Sequence, residues 1–106
     1  MRILLGAMSV ALLAGCGGDV GKAHQEVKKY LNDGATAEFR ADQVLYLPPD
    51  GQKMVCGEVN AKNAFGAYAG FTPYVVERLD SSPHAIFSAE NLNDIRITCS
   101  LGKGKK

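Results

Sequence analysis

One stretch of the chain has the apolar spacing of an amphipathic helix. It runs from Lys22 to Asn32, with apolar side chains three and four residues apart and polar ones on the other side. His24 and Lys28 fall among the polar positions, so we expect both to face solvent. A second helical turn is predicted to begin at Thr36, a favourable N-cap residue. The apolar positions of the first helix are Ala23, Val27, Tyr30 and Leu31.

The residues after position 43 have the pattern of short β-strands. A strand at Val44–Leu47 and a strand at Lys53–Asn60 flank Pro48-Pro49-Asp50-Gly51. This sequence predicts a hairpin turn, because Pro fixes φ and Gly accepts a positive φ. Further strands are predicted from Phe71 or Pro73 to Leu79 and at Ala85–Phe87, with a turn or one helical loop at Glu90–Asn93.

The last predicted strand, Asp94–Leu101, alternates most regularly. Ile95, Ile97, Cys99 and Leu101 would share one face. Together these elements predict an α+β domain in which the N-terminal amphipathic helix packs on a small antiparallel sheet of three to five strands.

The start of the chain is apolar from Ile3 to Leu13 and follows one basic residue, Arg2. This run is too short to span a bilayer, and it ends in the small residues of a signal-peptide cleavage site. Its ending, Leu13-Ala14-Gly15-Cys16, resembles the lipobox of bacterial lipoproteins. The alternative is a buried first helix with Cys16 as an ordinary thiol, which we disfavour because the run has no polar face.

The lipoprotein resemblance implies where the chain resides. It implies that the Cys16 thiol takes a diacylglycerol, that residues 1–15 are removed, and that the new amino terminus is acylated, so that the lipid bilayer is a partner of the protein. Several acyl chains anchor a protein stably, whereas one does so marginally. Gly17 rather than Asp follows Cys16, which in this class favours the outer membrane facing the periplasm; a host with one membrane would carry it on that membrane's outer face.

Length and charge limit what the rest can be. Removing residues 1–15 from the 106-residue chain leaves 91, enough for one small domain. Without Arg2, eleven basic residues face eleven acidic ones, so there is no basic surface to support nucleic-acid binding. The predicted organisation is a signal peptide at 1–15, a lipidated tether at 16–21, a domain at 22–101 and a basic tail at 102–106.

The basic tail contains Lys103, Lys105 and Lys106. Such an end is predicted to be solvated and disordered, with contact to anionic lipid headgroups as the alternative.

Two cysteines remain once Cys16 carries lipid. An even pair in an exported domain predicts a disulfide between Cys56 and Cys99. A redox or metal role is disfavoured, because the chain has no C-x-x-C and its two histidines, His24 and His84, lack ligand spacing. We therefore predict no metal and no cofactor.

The segment between two predicted strands is the candidate partner-binding loop. Exposed aromatic rings anchor protein partners, and neighbouring amides give directional hydrogen bonds. In the alternative, the two rings fold back over a small core while the two Asn side chains cap turn backbone. The candidate residues are Asn60, Lys62, Asn63, Phe65 and Tyr68.

The same segment resembles small bacterial and prophage-associated proteins, many of them lipoproteins. Their pattern is a basic helix, then D-P-x-S-A-x-F-R, then C-G-E-V-N-x-K-N-x-F-G-G-Y. The chain departs from it at Gly34, Thr36 and Ala67. The resemblance covers about two thirds of the domain and implies a single domain built around the helix and the Cys56 hairpin, with no activity attached. The matching residues are Leu31, Asp33, Ala37, Phe39, Arg40, Cys56–Asn63, Phe65, Gly66 and Tyr68.

No pattern of catalytic residues stands out. Glu58 lies inside a predicted core strand, and we expect it to face water or to pair with Lys62 or Arg78 rather than to do chemistry. The sequence therefore favours a non-catalytic, membrane-tethered interaction module that binds another envelope protein. The alternatives are an inhibitor of a wall-degrading enzyme, a prophage-encoded exclusion factor and a structural spacer.

Overall fold

A computed structural model of the chain describes residues 18–87 and 91–105. Within these residues two helices and four strands form an α+β arrangement, as predicted, and the strands pair antiparallel in chain order. The elements are α1 (Asp19–Lys28), β1 (Glu38–Leu47), β2 (Gln52–Asn60), β3 (Thr72–Glu77), β4 (His84–Ile86) and α2 (Leu92–Leu101).

The predicted signal peptide and Cys16 lie outside the described residues. Among the helices that are described, none is both long enough and apolar enough to cross a bilayer.

The hairpin between β1 and β2 forms where the sequence predicts it. The Gly51 N–H donates to the Leu47 carbonyl at 2.9 Å, and Gly51 adopts a positive φ of 72°. β1 is longer than predicted, because a short 3₁₀ turn at Gly34–Thr36 replaces the expected helical turn and the strand begins at Glu38. The β1–β2 register shifts between Arg40 and Gln43, so the backbone bulges there.

Helix α1 begins at Asp19 rather than at Lys22, so part of the predicted 16–21 tether is helical. Asp19 lies in the first turn, where a carboxylate is favourable beside the exposed N–H groups of the helix. Its Oδ2 atom is also 3.2 Å from Lys53 Nζ at the start of β2. This ion pair fixes the beginning of the helix beside the β1–β2 hairpin.

The predicted last strand, Asp94–Leu101, is wrong: these residues belong to helix α2. The alternation put Ile97 and Leu101 on the core face, but they are 60% and 54% exposed. Ile95 is 2% exposed, and Leu92, Ile95 and Cys99 have the three-and-four spacing of one helical face. The apolar residues of this segment satisfy the strand period and part of the helical period, and in the helix Cys99 lies beside Cys56.

Alternate residues of the central strands contribute to two apolar clusters, because successive strand side chains point to opposite faces. Val55, Val59, Tyr74 and Val76 lie in one cluster with Ala23 and Val27 of α1. The second cluster contains Met54, Cys56 and Val75 with Ile95 of α2.

The Sγ atoms of Cys56 and Cys99 lie at disulfide distance, 2.06 Å, which fits the predicted bridge. It connects β2 to α2 across 43 residues of sequence. On the chain-entropy account, closing a loop of this length stabilises the fold by about 4 kcal/mol.

The C-terminal segment is held at Lys103, where the sequence predicts a disordered tail. Backbone hydrogen bonds of 2.8 and 2.9 Å join Lys103 to Tyr46, next to the β1–β2 hairpin. The side chains of Lys103 and Lys105 remain exposed.

Candidate functional site

The candidate partner-binding loop, residues 61–71, connects the end of β2 to the start of β3. We refer to it as the 61–71 loop. Lys62 and Tyr68 form an isolated antiparallel bridge across it, and the Asn63 N–H donates to the Ala67 carbonyl at 2.9 Å. Gly66 and Gly70 have positive φ values of 81° and 102°, which residues with a Cβ rarely adopt. The loop is therefore a small closed turn with its own hydrogen bonds.

Two asparagine side chains hold this turn. Asn63 Oδ1 accepts hydrogen bonds from the N–H groups of Phe65 at 2.9 Å and Ala67 at 3.2 Å. Asn60 Oδ1 accepts from the Gly70 N–H at 3.1 Å. Both amide oxygens are thus used inside the loop, which fits the alternative in which these side chains cap turn backbone.

Tyr68 fastens the loop to the 3₁₀ turn that precedes β1. Its hydroxyl donates to the Thr36 carbonyl at 3.0 Å, and Thr36 Oγ1 accepts from the Lys62 N–H at 3.3 Å. The residue is 44% exposed, so one side of the ring remains accessible. The Lys62 ammonium lies 5.8 Å from the centre of that ring, within the range of a cation–π contact.

Phe65 lies at the tip of the loop and is 94% exposed. The alternative in which this ring folds back over the core is therefore wrong for Phe65. Since burying an aromatic side chain is strongly favourable, a ring held in water on a structured turn is poorly explained by folding alone. The geometry leaves it available to a partner.

Glu58 takes a different partner from those predicted. Arg40 Nε lies 2.8 Å from Glu58 Oε1, whereas Lys62 or Arg78 had been expected there. The guanidinium carbon of Arg40 also lies 3.8 Å from the centre of the Phe71 ring, at the end of the 61–71 loop. Arg40 is on β1, directly opposite Glu58 in the β1–β2 register, so strand pairing determines the contact.

A second polar group, which the sequence did not reveal, is formed by one residue of α1 and two residues of the sheet. We call His24, Asp42 and Tyr74 the Asp42 cluster. The Tyr74 hydroxyl donates to Asp42 Oδ1 at 2.5 Å. His24 Nε2 lies 3.2 Å from the same oxygen without forming a hydrogen bond to it, and this buried atom has no hydrogen-bond partner among the described residues.

The Asp42 cluster is enclosed by aromatic rings. The His24 imidazole stacks on Phe39 with centroids 3.6 Å apart, and Tyr74 meets Phe39 edge-on at 5.7 Å. Burial raises the pKa of the Tyr74 phenol, and the hydrogen bond to Asp42 raises that pKa further. Tyr74 therefore remains a neutral donor to Asp42 throughout the physiological range.

The prediction that His24 is an exposed polar residue is wrong, since its side chain is 23% exposed. The spacing of the apolar residues in α1 does indicate that His24 shares their face. Val20, His24, Val27 and Leu31 recur at intervals of three and four, and the three apolar members pack in the first apolar cluster. The polarity of His24 concealed its place on this buried stripe.

The described residues hold no group of three or more His, Cys, Asp or Glu side chains arranged to bind a metal ion. Comparison with known proteins finds no family model, no curated protein and no solved structure that matches this chain.

Proposed function

We propose that the chain is a bacterial lipoprotein whose acylated Cys16 anchors it in the cell envelope, at the outer membrane facing the periplasm. Its domain, with α1 packed on the sheet, would be a non-catalytic module that binds another envelope protein. The 61–71 loop is the contact surface in this proposal, and Phe65 is its anchor residue. The observation that carries it is the 94% exposure of Phe65 at the tip of an internally hydrogen-bonded turn.

A rigid turn makes an exposed ring an effective anchor. If a loop must be ordered on binding, the cost of ordering offsets part of the interaction free energy. A preorganised loop does not have this cost. The Asn63 and Tyr68 hydrogen bonds supply this order before a partner arrives. Aromatic side chains are also enriched among the residues that dominate binding energy at protein interfaces.

The predicted site residues then have different roles. Phe65 contacts the partner, and the open side of Tyr68 together with Lys62 borders that contact. Asn60 and Asn63 position the loop and are not themselves recognised. This division supports a binding function, because the polar groups of the loop are used to hold an apolar one in water.

Site-specific photo-crosslinking in living cells tests the proposal. A photoreactive phenylalanine analogue replaces Phe65 in the full, lipidated protein, and the control carries it at Asn93, an exposed position on α2. We expect one dominant protein adduct from position 65 and none from position 93. Equal adducts at both positions, or none at 65 with the protein abundant, would contradict the proposal.

The identity of the adduct separates the predicted functions. An envelope protein without wall-degrading activity supports the interaction module. A wall-degrading enzyme would instead indicate that the domain is an inhibitor of that enzyme. As a second readout, Phe65→Ala is expected to abolish co-purification of the captured protein. Phe65→Tyr is the matched control and is expected to retain it, because the ring is preserved.

A further inference from the structure

We infer that the end of the domain formed by the β1–β2 hairpin rests on anionic lipid headgroups, so that the 61–71 loop points away from the membrane. We call this end the hairpin end; it comprises residues 48–53, the start of α1 and the C-terminal residues 103–105. The inference rests on the proposed anchorage through Cys16.

The first observation is where the chain enters the domain. Asp19 is held at the hairpin end by Lys53, whose Nζ lies 3.2 Å from Asp19 Oδ2 and 3.3 Å from Asp80 Oδ2. Lys22 approaches Asp80 at 3.5 Å from the next turn of α1. These contacts raise the pKa of Lys53, chiefly through the hydrogen bond to Asp19, and lower the pKa of Asp80, chiefly through the hydrogen bond to Lys53.

The second observation is the covalent distance to the anchor. Three peptide steps separate Asp19 from Cys16. Even a fully extended chain spans no more than about 11 Å over that length. An acylated Cys16 must therefore place the lipid surface beside the hairpin end, whatever the conformation of the intervening residues.

The third observation is the charge that this end presents. Lys103 is paired through its backbone with Tyr46, and together with Lys105 it lines a hollow beside Pro48 and Pro49. Arg78 lines the neighbouring hollow with Lys53. The ammonium and guanidinium groups of Lys103, Lys105 and Arg78 are exposed and form no ion pair with another described residue, so they are free to bind lipid phosphates.

Carboxylates limit this attraction. Asp19 and Asp80 are engaged by Lys53 and Lys22, but Asp50 and Glu77, at the same end, have no cation within ion-pair distance in the described structure. The lipid chains therefore supply most of the membrane binding, and the exposed cations set the orientation of the domain.

The direction of β2 places the loop at the far end. Lys53, the second residue of β2, lies beside Asp19. The strand runs from there to Asn60, after which the 61–71 loop starts. Seven residues of strand cover about 23 Å. Phe65, beyond Asn60, is thereby held away from the surface that carries the lipid.

Tryptophan fluorescence measures this orientation directly, because the chain contains no Trp. Gln52→Trp introduces a reporter at the hairpin end without changing charge, and Phe65→Trp introduces one at the loop. Each acylated protein is reconstituted in phosphatidylcholine vesicles containing phosphatidylglycerol and a lipid spin-labelled in its headgroup. We expect the spin label to quench Gln52→Trp severalfold more strongly than Phe65→Trp.

The role of charge is tested in the Gln52→Trp background. Lys103→Gln with Lys105→Gln is expected to reduce quenching in phosphatidylglycerol vesicles and to leave it unchanged in pure phosphatidylcholine. Lys28→Gln with Lys29→Gln, on the opposite end of α1, is the control that removes the same charge and is expected to have no effect.

Three results would overturn the inference, and they differ from one another. Equal quenching at both reporters in acylated protein refutes the orientation and leaves the proposed function intact. Stronger quenching of Phe65→Trp would instead make the loop a membrane-inserting element. Protein recovered from cells without acyl chains on Cys16, measured by intact mass, refutes the anchorage and therefore both proposals.

Discussion

Tyr74 and Phe65 are aromatic residues nine positions apart, yet Tyr74 in β3 is fully buried whereas Phe65 at the tip of the 61–71 loop is 94% exposed. In the Asp42 cluster, rings enclose the polar atoms of Asp42 and His24. In the 61–71 loop, the polar atoms of Asn60 and Asn63 are inside the turn and the ring is outside.

Polar and aromatic side chains are therefore arranged in opposite ways in the two regions. Polar atoms enclosed by rings have few alternative partners, so any loss of a hydrogen bond there leaves an unsatisfied group and lowers stability. In the 61–71 loop, polar atoms order a surface turn and hold an apolar side chain in water, where that side chain adds nothing to folding stability. We conclude that the Asp42 cluster stabilises the domain, whereas the exposed ring on the loop supports the proposed binding function.

The first comparison adds a methyl group in each region. Gly57→Ala would place Cβ 2.7 Å from Asp42 Oδ1 and 2.8 Å from Tyr74 Cε2. Overpacking of this kind costs about 2 kcal/mol of unfolding free energy. At Gly66 no described residue other than the chain neighbours lies within 4 Å of the added Cβ, and the positive φ opposes Ala, for about 1 kcal/mol. Urea unfolding of both variants checks the order, and a larger loss at Gly66 would contradict it.

Removing one hydroxyl in each region is the next comparison. Tyr74→Phe leaves the half-buried Asp42 carboxylate without its donor, for an expected loss of about 2 kcal/mol. Tyr68→Phe removes a hydrogen bond from a partly exposed residue, and about 0.5 kcal/mol is expected. Equal losses by urea unfolding would show that the two tyrosines occupy equivalent environments.

The loss of folding stability at alkaline pH is expected to report on the ionisation of Tyr74. Its pKa is raised in the folded state, so above the unfolded-state pKa of about 10 the unfolded chain loses a proton that the folded chain keeps. Stability is full below that pH and falls as pH rises above it, by at most about 1.4 kcal/mol per pH unit. Because the raised pKa of Lys53 acts in the same direction, the measurement is the difference between wild type and Tyr74→Phe from pH 9 to 11. An identical pH slope in both proteins would exclude Tyr74 as its source.

Loosening the turn should affect the loop and spare the core. Asn63→Ala removes the acceptor for the Phe65 and Ala67 N–H groups, for an expected loss of about 1 kcal/mol. Hydrogen exchange at these two amides should accelerate, while exchange at the buried Val75 and Val76 of β3 changes only by that global loss. Uniform acceleration well beyond it would mean that the loop is part of the core.

The sequence predicts an element of this fold correctly where the local residues alone determine the structure of that element. The β1–β2 turn is correctly predicted because Pro48-Pro49-Asp50-Gly51 favours a turn in any context. Helix α2 is mispredicted because Ile95, Ile97, Cys99 and Leu101 satisfy the strand period as well as part of the helical one. Tertiary burial of Ile95 and Cys99 decides between the periods, and a single segment does not encode that burial.

The candidate site divides in the same way. The loop is found because its glycines and asparagines are local turn signals, whereas the exposure of Phe65 depends on the arrangement of the strands around it. The Asp42 cluster is missed because its members come from α1, β1 and β3, far apart in sequence. Only the strand register and the bulge near Asp42 bring them together.

The last comparison tests the central claim, which is that Phe65 contributes to binding and not to folding. Unfolding free energies of Phe65→Ala and Tyr74→Ala are measured side by side in urea. We predict that Phe65→Ala stays within about 0.5 kcal/mol of wild type, while Tyr74→Ala loses about 3 to 5 kcal/mol. A loss above about 2 kcal/mol for Phe65→Ala would place that ring in the core and contradict the account.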